Sequence, residues 1–598
     1  MILCDYFLNH MRKEGYKGSL KLDWINKHLS LYYEIDEKEG KGVRPVWVPK
    51  NDIRVAEPRI LRFVKNYGDV TSVNMLVKGD NLLVLRSLVE MFKGKREKDK
   101  VKCIYIDPPF NTGNAFDRYE DNLRHSEWLT MMRDRLYLLR KLIRKDGIIF
   151  VHVDDEEMAY LKVLMDEIYD RDNFISQIAW ERSSVAGLGQ GGKMVVNVTE
   201  YILAYAKDKV NLKINDDFLV KRVFEYEKLK GYGSILISEG KKKLIKEFNS
   251  KSNKEPVKIY KHENFKIERI PFSELEESKK KFKNFYKDNF NKIFRTFLVQ
   301  KENRFQHELI DQMDKGFYSV EYTPSRGKKA DTLTTNYYFK KELCGWLSSV
   351  ASYEKDIVYK FEKPNDFWTK DDVSNAARGE GGIRGEDRTK KPEKLLSRII
   401  GMTTEQDDIV LDTFSFSGTT GAVAHKMGRR WLMVEMGRQA EELIIPRLQK
   451  VMGGKDQIGI TKEVDWKGGG GFKFYQLGES IINEQDMNWT LKAEEMAEAV
   501  FLHFQYRPIK AEWLEKENMY LGKHQSARYH FSLSFASREV KTITADLYEK
   551  IVAGLDKEKF KHLTIFTNVA VSVPPEALDD RVFVKKIPAA ILREYNLL

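Results

Sequence analysis

Cysteine is scarce in this chain, which has only Cys4, Cys103 and Cys344 among its 598 residues. The three are far apart, odd in number and without a Cys-x-x-Cys pair, so neither a disulfide framework nor a structural zinc site is expected. No apolar run approaches the roughly 18 residues of a membrane span. The N-terminus also lacks the apolar core and small-residue cleavage site of a signal peptide. We therefore expect a protein of the reducing cytosol that uses no metal and no membrane.

Two phosphate-binding signatures are missing as well. The loop that follows residue 412 has neither the GxGxxG spacing nor a Gly-Lys-Ser/Thr sequence, so an ATP phosphate chain or a pyrophosphate is a poor fit. It also lacks a nuclease signature. Translocation along DNA or cleavage of DNA would therefore need another chain.

The totals indicate a large, folded and basic protein. With 598 residues the chain is too long for one core, and three or more domains are expected. A hydrophobic content of 42% and an aromatic content of 12% exclude a disordered chain. The formal net charge of +12 favours a polyanionic partner, although a basic balance also aids solubility.

The most informative stretch is an apolar strand that ends in a stiff acidic turn. Residues 101–106 form the predicted strand, and Asp107-Pro108-Pro109-Phe110 follows it. The two prolines fix φ and remove two N–H donors, so the turn is stiff and its carbonyls can accept hydrogen bonds. In open α/β sheets, ligands bind beyond the carboxyl ends of the strands. The turn suits a planar base with an exocyclic amino group, and a plain Asp-Pro turn is the alternative.

A strand–helix–strand pattern surrounds this turn. Upstream, Gly79-Asp80 precedes a helix, and Asp80 either caps that helix or holds a polar edge of a ligand. Downstream, an amphipathic helix over 126–145 leads to a buried strand over 148–153, which makes a βαβ unit with a parallel sheet. The acidic run 154–157 is predicted to begin the next helix rather than to hold a metal ion.

A second strand–loop–helix–strand segment begins at residue 409. The strand over 409–412 ends in Asp412, a loop of small residues follows, and the strand over 431–434 ends in Glu435. Such a loop lets a ligand approach the backbone, while the distal acid can bind ribose hydroxyls. A nucleoside with a compact zwitterionic end fits this arrangement, and S-adenosylmethionine is such a ligand.

Between the two segments, from about 207 to 375, the strand–helix alternation disappears. Lysine runs such as 241–243 and 279–281 are interleaved with aromatic residues. This composition predicts an inserted domain suited to phosphate contact and base stacking. The alternative is an ordinary solvated surface over a Phe-rich core.

Together these motifs resemble the β-class of DNA amino-methyltransferases. The similar stretches are GDNLLVL at 79–85, DPPF at 107–110, NTG at 111–113, HSEWLTMM at 125–132, DRTKKPEKLL at 387–396, LDTFSFSGTT at 411–420 and GGGGFKFY at 468–475. In the β-class the catalytic half precedes the cofactor half and a target-recognition domain lies between them. The length and the trailing domain are similar in particular to modification subunits of type III restriction–modification systems.

The resemblance implies a role for each matching residue. Asp107 and the carbonyl of Pro108 would hold the target amino group, within a turn completed by Pro109, and Phe110 would stack on the flipped base. The implied S-adenosylmethionine site comprises Asp80, Asp107, Lys390, Pro392, Glu393, Asp412, Phe414, Ser417, Gly418, Thr419 and Glu435. Within it, Asp80 would bind the adenine and Glu435 the ribose. No metal is implied.

The resemblance also implies the substrate and partners. The target is double-stranded DNA, the assembly a homodimer, and a helicase–nuclease restriction subunit a further partner. An aspartate at the first position of the turn favours adenine N6, and cytosine N4 is the alternative. Phe416 stands where the family loop has a glycine, so a recognition subunit with little methylation is a third hypothesis. We expect the loop to tolerate Phe416 and still bind the cofactor.

The predicted fold class is α/β, a Rossmann-like S-adenosylmethionine-dependent methyltransferase core with a mostly parallel twisted sheet and helices on both faces. An inserted target-recognition domain and a small C-terminal α/β domain accompany it. The predicted boundaries are 1–74 for a helical N-terminal arm, 75–208 for the catalytic half of the core, 209–375 for the inserted domain, 376–478 for the cofactor-binding half and 479–598 for the C-terminal domain.

Overall fold

The computed structural model describes most of the chain. The described residues are 20–36, 42–111, 124–182, 197–215, 218–276, 278–326, 330–376, 379–380, 390–483, 486–509, 519–553 and 561–594. The chain divides into two compact units. The first comprises Met1–Asp216 and Asn365–Leu598, and the second Asp217–Pro364.

A ten-stranded sheet forms the centre of the first unit. In chain order its strands are β1 (Leu61–Gly68), β2 (Met75–Lys78), β3 (Val101–Ile106), β4 (Ile143–Val153), β5 (Phe174–Glu181), β6 (Thr199–Ala206), β7 (Phe367–Trp368), β8 (Ile409–Asp412), β9 (Arg430–Glu435) and β10 (Gly471–Leu477). In space they follow the order β7-β5-β6-β4-β3-β8-β9-β2-β10-β1. The six strands from β4 to β10 are mutually parallel, and antiparallel pairs flank them at β6 and β1.

Helices cover both faces of this sheet. Those of the first sequence half are α1 (Asn81–Phe92), α2 (His125–Leu142) and α3 (Asp155–Met165), and those of the second are α4 (Glu393–Thr403), α5 (Thr419–Lys426) and α6 (Ile445–Met452). The first three pack with Ile104 and Ile106 of β3, and the last three with Cys103 and Tyr105 of the same strand. Every residue of β3 is buried, which explains its continuous apolar sequence. The predicted α/β fold class is confirmed.

The connections place a ligand crevice between β3 and β8, which pair in parallel. From β3 the chain runs through α2 to β4 on one side, whereas from β8 it runs through α5 to β9 on the other. Loops that leave adjacent parallel strands in opposite directions open a crevice at the carboxyl end of the sheet. Asp107 follows β3 at this edge, and Asp412 ends β8 there.

Two sequence predictions about local structure are wrong. The described part of the predicted helical arm is mainly strand: Leu29–Asp36 pairs with Gly42–Pro49, and β1 joins the central sheet beside β10. The single helix there, Ile53–Ala56, is one turn long. The helix predicted over 126–145 ends at Leu142, because β4 already begins at Ile143, before the Asp-Gly pair.

The second unit is built mainly of antiparallel strands. Its eight-stranded sheet contains, in spatial order, Lys241–Asn249, Pro256–Glu263, Phe317–Tyr322, Thr334–Phe339, Glu342–Trp346, Ile293–Phe297, Ser234–Ser238 and Lys266–Arg269. A three-stranded sheet contains Ala351–Glu354, Ile357–Glu362 and Val220–Val223. The helices are Tyr226–Leu229, Phe272–Glu276, Lys279–Asn289 and Arg304–Ile310. Strand β7, inside the predicted insertion of 209–375, belongs to the first unit.

The C-terminal residues form a further mixed sheet within the first unit. Its strands are Tyr506–Ile509, Met519–His524, His530–Phe535, His562–Thr567 and Val582–Lys586. The helices beside it are Ala493–His503, Ala545–Ala553 and Ala589–Glu594. None of the helices in the part of the chain that the structure describes is long and apolar enough to cross a membrane.

Candidate active site

The turn after β3 is held in place by contacts from α2 and α3. The indole Nε1 of Trp128 donates to the carbonyl of Pro109 at 2.7 Å, so this carbonyl is occupied by the protein itself. Asn111 follows the turn with a φ of +63° and donates through its amide to Glu157 at 2.8 Å. The turn is therefore fixed at its second proline and directly after its last residue. Thr112 and Gly113 of the NTG motif lie outside the described residues.

Lys391 contacts both ends of this turn. Its Nζ lies 3.1 Å from Oδ1 of Asp107 and 4.5 Å from the centre of the Phe110 ring. The same Nζ lies 3.3 Å from Oε2 of Glu200 on β6. Burial alone would lower the pKa of Lys391, but the two carboxylates more than offset this and the pKa is raised. Lys391 is therefore a cation at neutral pH.

Behind Lys391, a row of buried polar side chains crosses three adjacent strands. His152 of β4 lies 2.9 Å from Glu200, and its Nδ1 lies 2.8 Å from the hydroxyl of Tyr105 on β3. Burial lowers the pKa of His152, and Lys391 lowers it further. Burial alone would raise the pKa of Glu200, yet Lys391, His152 and Arg182 together hold it well below its usual range.

The loop after β8 forms the other side of the crevice. Oδ1 of Asp412 accepts the backbone N–H of Phe414 at 2.9 Å, and Oδ2 accepts the hydroxyl of Thr420 at 2.5 Å. The hydroxyls of Ser417 and Thr419 are 3.1 Å apart. Burial, with added repulsion from Asp107 and Glu435, raises the pKa of Asp412 to about 7. Asp412 is consequently a carboxyl group that gains or loses its proton near neutral pH.

Phe416 adopts a backbone conformation that favours glycine. Its φ is +37°, inside the left-handed region, and its N–H donates to Oε2 of Glu435 at 2.8 Å. Gly418 follows with a φ of +70°, and a Cβ there would lie 2.9 Å from Ile444. The loop thus has a glycine-like conformation at residue 416 despite the phenyl ring.

One cavity connects the two sides of the crevice. Its lining residues are Tyr105, Asp107, Lys390, Lys391, Leu396, Asp412, Phe414, Ser415, Phe416, Ser417, Thr419 and Thr420. The structure therefore brings Asp107 together with five other predicted cofactor residues, Lys390, Asp412, Phe414, Ser417 and Thr419. Phe416, which stands where the family loop has a glycine, lines the same cavity. Two acidic side chains, two lysines and several hydroxyl-bearing side chains therefore line the same space, and Nζ of Lys390 also donates to the carbonyl of Glu380 at 2.5 Å.

Other predicted site residues lie outside the lining of this cavity. Glu393 is fully buried and pairs with Lys426 at 2.8 Å and Arg447 at 2.9 Å, so its carboxylate is committed to the protein. Asp80 caps α1, with its Oδ1 accepting the N–H groups of Leu82 and Leu83. Glu435 accepts backbone N–H groups from both Phe416 and Gly437. Pro392 directly precedes α4, and Gly418 directly precedes α5. Pro108 and Pro109 follow Asp107 in the turn.

Sequence reasoning missed Glu200 and gave Lys391 no role of its own within the predicted segment 390–393. Lys391 lies between two residues that were predicted, and nothing in the motif distinguishes its side chain from that of Lys390. Glu200 did carry a signal, because it is a single acid at the start of an otherwise apolar strand, TEYILAYA. Within the described ranges, no group of three or more His, Cys, Asp or Glu side chains is arranged to hold a metal ion.

Comparison with known proteins identifies the family. The chain is 39% identical over 429 residues to the HindVI Mod subunit of Haemophilus influenzae, a probable type III restriction-modification enzyme, covering 69% of this chain and 55% of that protein. It is 28% identical over 431 residues to the StyLTI Mod subunit of Salmonella typhimurium, a type III restriction-modification enzyme, covering 66% and 55%. The chain thus spans about half the length of these relatives. A shorter match, 38% over 149 residues, is to the type II methyltransferase M.KpnI of Klebsiella pneumoniae, covering 23% and 33%.

A family model described as DNA methylase matches residues 101–446. The match begins with β3 and ends within the first turn of α6, so it includes the turn at Asp107 and the loop after β8. Because these residues make up more than half of the chain, the chain belongs to the DNA methylase family.

Proposed function

We propose that this protein is a site-specific DNA methyltransferase that transfers a methyl group from S-adenosylmethionine to N6 of adenine in duplex DNA. The observation that carries the proposal is the meeting of Asp107 and the Asp412 loop in one cavity at the crevice between β3 and β8. We further propose that it is the modification and recognition subunit of a type III restriction–modification system. The Mod subunits among its relatives support this role.

The turn at Asp107 has the chemistry that an amino target needs. The exocyclic nitrogen of adenine is a weak nucleophile because its lone pair is delocalised into the ring. The amino group would donate one hydrogen bond to the Asp107 carboxylate and another to the Pro108 carbonyl. These two hydrogen bonds favour a tetrahedral nitrogen whose lone pair can attack. Alignment of this kind can contribute about 7–11 kcal/mol to a reaction. The base must leave the duplex first, at a cost of a few kcal/mol, which stacking on Phe110 would partly offset.

The groups lining the cavity fit S-adenosylmethionine. When bound, this cofactor supplies an electrophilic methyl group on a sulfonium. Asp412 would hold its ammonium, while Lys390 and the hydroxyls of Ser417 and Thr419 would hold its carboxylate. Phe414 would border the nucleoside. Binding the ribose through Glu435 would require that carboxylate to exchange one of its backbone hydrogen bonds for a hydroxyl.

The second unit would recognise the DNA sequence. It contains 32 Lys and Arg against 22 Asp and Glu, so it holds 10 of the 12 excess positive charges of the chain. Such an excess suits the phosphate backbone. The proposal further includes a homodimer, a helicase–nuclease restriction subunit as partner, and a place of action in the prokaryotic cytosol, where the DNA is.

Labelled methyl transfer tests the proposed function. The purified chain is incubated with duplex DNA and S-adenosylmethionine labelled in its methyl group, and the modified nucleoside is identified after digestion. We expect N6-methyladenine as the product. Asp107→Ala should lower the rate of methyl transfer at least about 100-fold, because it removes a group that positions the target nitrogen. The matched control is Asp371→Ala, which changes an exposed aspartate.

Each other outcome identifies an alternative. Labelled N4-methylcytosine would assign the cytosine reaction. Specific DNA binding without any label would assign a recognition subunit that does not methylate. Equal label in the wild type and in Asp107→Ala would reject the catalytic role of the turn.

A further inference from the structure

The mostly buried ammonium group of Lys391 contacts the two ends of the turn at Asp107. The side chain of Lys391 is 11% exposed, and its Nζ is enclosed by the Asp107 carboxylate, the Glu200 carboxylate and the face of the Phe110 ring. Asp107 and Phe110 are the groups proposed to hold the amino group and to stack on the base. Lys391 therefore contacts both groups that would hold the target, and it does so from the segment just before α4, at the start of the other sequence half.

Glu200, whose negative charge lies opposite Lys391, is held in place by other buried side chains. The Glu200 side chain is 5% exposed, and Oε1 lies 2.8 Å from Arg182 while Oε2 lies 2.9 Å from His152. His152 in turn is fixed by the Tyr105 hydroxyl. Since β3, β4 and β6 are neighbours in the sheet, this row cannot move without disturbing the central sheet. Glu200 thus gives Lys391 one defined position.

We propose that Lys391 is a positioning residue for methyl transfer, which holds the Asp107 carboxylate and the Phe110 ring in one arrangement against the fixed counter-charge of Glu200. The inference rests on the proposed function. Burying an ammonium and two carboxylates is costly, and an apolar side chain of similar volume would fill the space at a lower desolvation cost. The specific contribution of Lys391 is therefore its charge and its contacts with the turn.

The arrangement also matches the charge that develops in the reaction. Lys391 contacts Oδ1 of Asp107, so Oδ2 can accept an N–H from the target. Arg182 offsets the charge of Glu200, so the negative charge that faces the target is that of the Asp107 carboxylate. As the nitrogen–methyl bond forms, positive charge develops on that nitrogen, and a preorganised negative site stabilises it.

Three variants of the chain separate the effect of the charge of Lys391 from the effect of its volume. Lys391→Met keeps the length and removes the charge, Lys391→Arg keeps the charge, and the matched control Lys394→Met changes an exposed lysine three residues along. We expect Lys391→Met to lower kcat about 100-fold, as small misplacement of a reacting group can do. Lys391→Arg should recover part of this loss, and Lys394→Met should match the wild type.

A pH profile distinguishes positioning through charge from a structural role. The charged groups facing Lys391 are Asp107, Glu200 and Arg182, with His152 behind Glu200. Glu200→Gln removes one of the two carboxylates that offset burial, so the pKa of Lys391 falls. The cation is then lost at lower pH, and the alkaline limb of kcat should move to lower pH than in the wild type. In the Lys391→Met background, Glu200→Gln should have little further effect on kcat.

The outcomes distinguish the inference from the proposed function. A wild-type chain that binds DNA but transfers no methyl group overturns both. An active wild type with Lys391→Met at full kcat overturns the inference alone, as does a Glu200→Gln profile with an unmoved alkaline limb. If Lys391→Met fails to bind the cofactor in a calorimetric titration, its kcat cannot test the inference. The pH profile of Glu200→Gln then tests it, because that variant retains Lys391.

Discussion

At the scale of single residues, Phe416 is the sharpest departure from the expected cofactor loop. A non-glycine residue in the left-handed region costs about 1–2 kcal/mol, and here it also brings a ring to the wall of the cavity. The N–H of Phe416 remains bonded to Glu435, which keeps the loop in this conformation. Because the loop already adopts this conformation, we expect any effect on cofactor affinity to come from the ring.

We expect Phe416→Gly to bind S-adenosylmethionine about ten-fold more tightly, equivalent to about 1.4 kcal/mol, because the ring no longer takes up space in the cavity. A calorimetric titration measures the change. Phe416→Ala is the matched control, since it removes the ring but keeps the Cβ, and it should show most of the gain. Weaker binding in both variants would mean that the ring is instead part of the binding surface.

We expect Asp412 to make cofactor binding depend on pH. Burial raises its pKa to about 7, so the group is mainly protonated at pH 6 and mainly ionised at pH 8. An ammonium is attracted only by the ionised form, and the affinity should therefore rise with pH, by about ten-fold between pH 6 and pH 8. Titrations in buffers of different ionisation enthalpy would detect the released proton. Asp412→Asn should bind the cofactor weakly and without this pH dependence. An equal pH dependence in Asp412→Asn would mean that another group causes it.

At the scale of secondary-structure elements, the sequence predicts what is local. The strand before Asp107 is a short apolar run that ends in a turn, and the loop after Asp412 is rich in small residues, so both were placed from the sequence. The ion pair between Lys391 and Glu200 was missed because it joins the start of α4 to β6 across 191 positions of sequence, which no local pattern records. The N-terminal strands were missed because strand pairing, rather than helical periodicity, decides their conformation.

A buried cluster of charges connects three elements behind the cofactor loop. Glu393 of α4 pairs with Lys426 of α5 and Arg447 of α6, and Lys426 also pairs with Asp456. Arg447 donates to the carbonyl of Ser417 and, at 2.7 Å, to the hydroxyl of Thr419. The predicted cofactor residue Glu393 therefore acts on the loop through Arg447, at a distance from the cavity.

Glu393→Gln should destabilise the first unit by about 3–5 kcal/mol, because it leaves Lys426 and Arg447 with too little negative charge in a dry interior. The urea midpoint of unfolding, followed by tryptophan fluorescence, measures this loss. Glu441→Gln, at an exposed glutamate that pairs with Lys78, is the matched control and should shift the midpoint little. A loss of less than about 1 kcal/mol in Glu393→Gln would show that water or a rearranged partner replaces the carboxylate.

At the scale of the whole molecule, positive charge is unevenly distributed. The second unit is about a quarter of the chain and holds most of its excess charge. Its edge strand Lys241–Asn249 is exposed over its first seven residues and begins with three lysines. Two physical roles suit them. Lysines on a sheet edge prevent pairing with other chains, and a row of lysines can also bind phosphates.

Replacing Lys241, Lys242 and Lys243 with glutamine separates these roles. If the lysines bind DNA, affinity falls for all sequences alike, and the slope of log affinity against log salt becomes shallower by about one for each phosphate that a lysine no longer neutralises. Cofactor binding in the first unit should stay unchanged. The control replaces three exposed lysines of the first unit, Lys93, Lys98 and Lys541. An unchanged slope together with self-association in light scattering would instead assign the lysines to protection of the sheet edge, because uncharged glutamines leave its N–H and C=O groups open to a second chain.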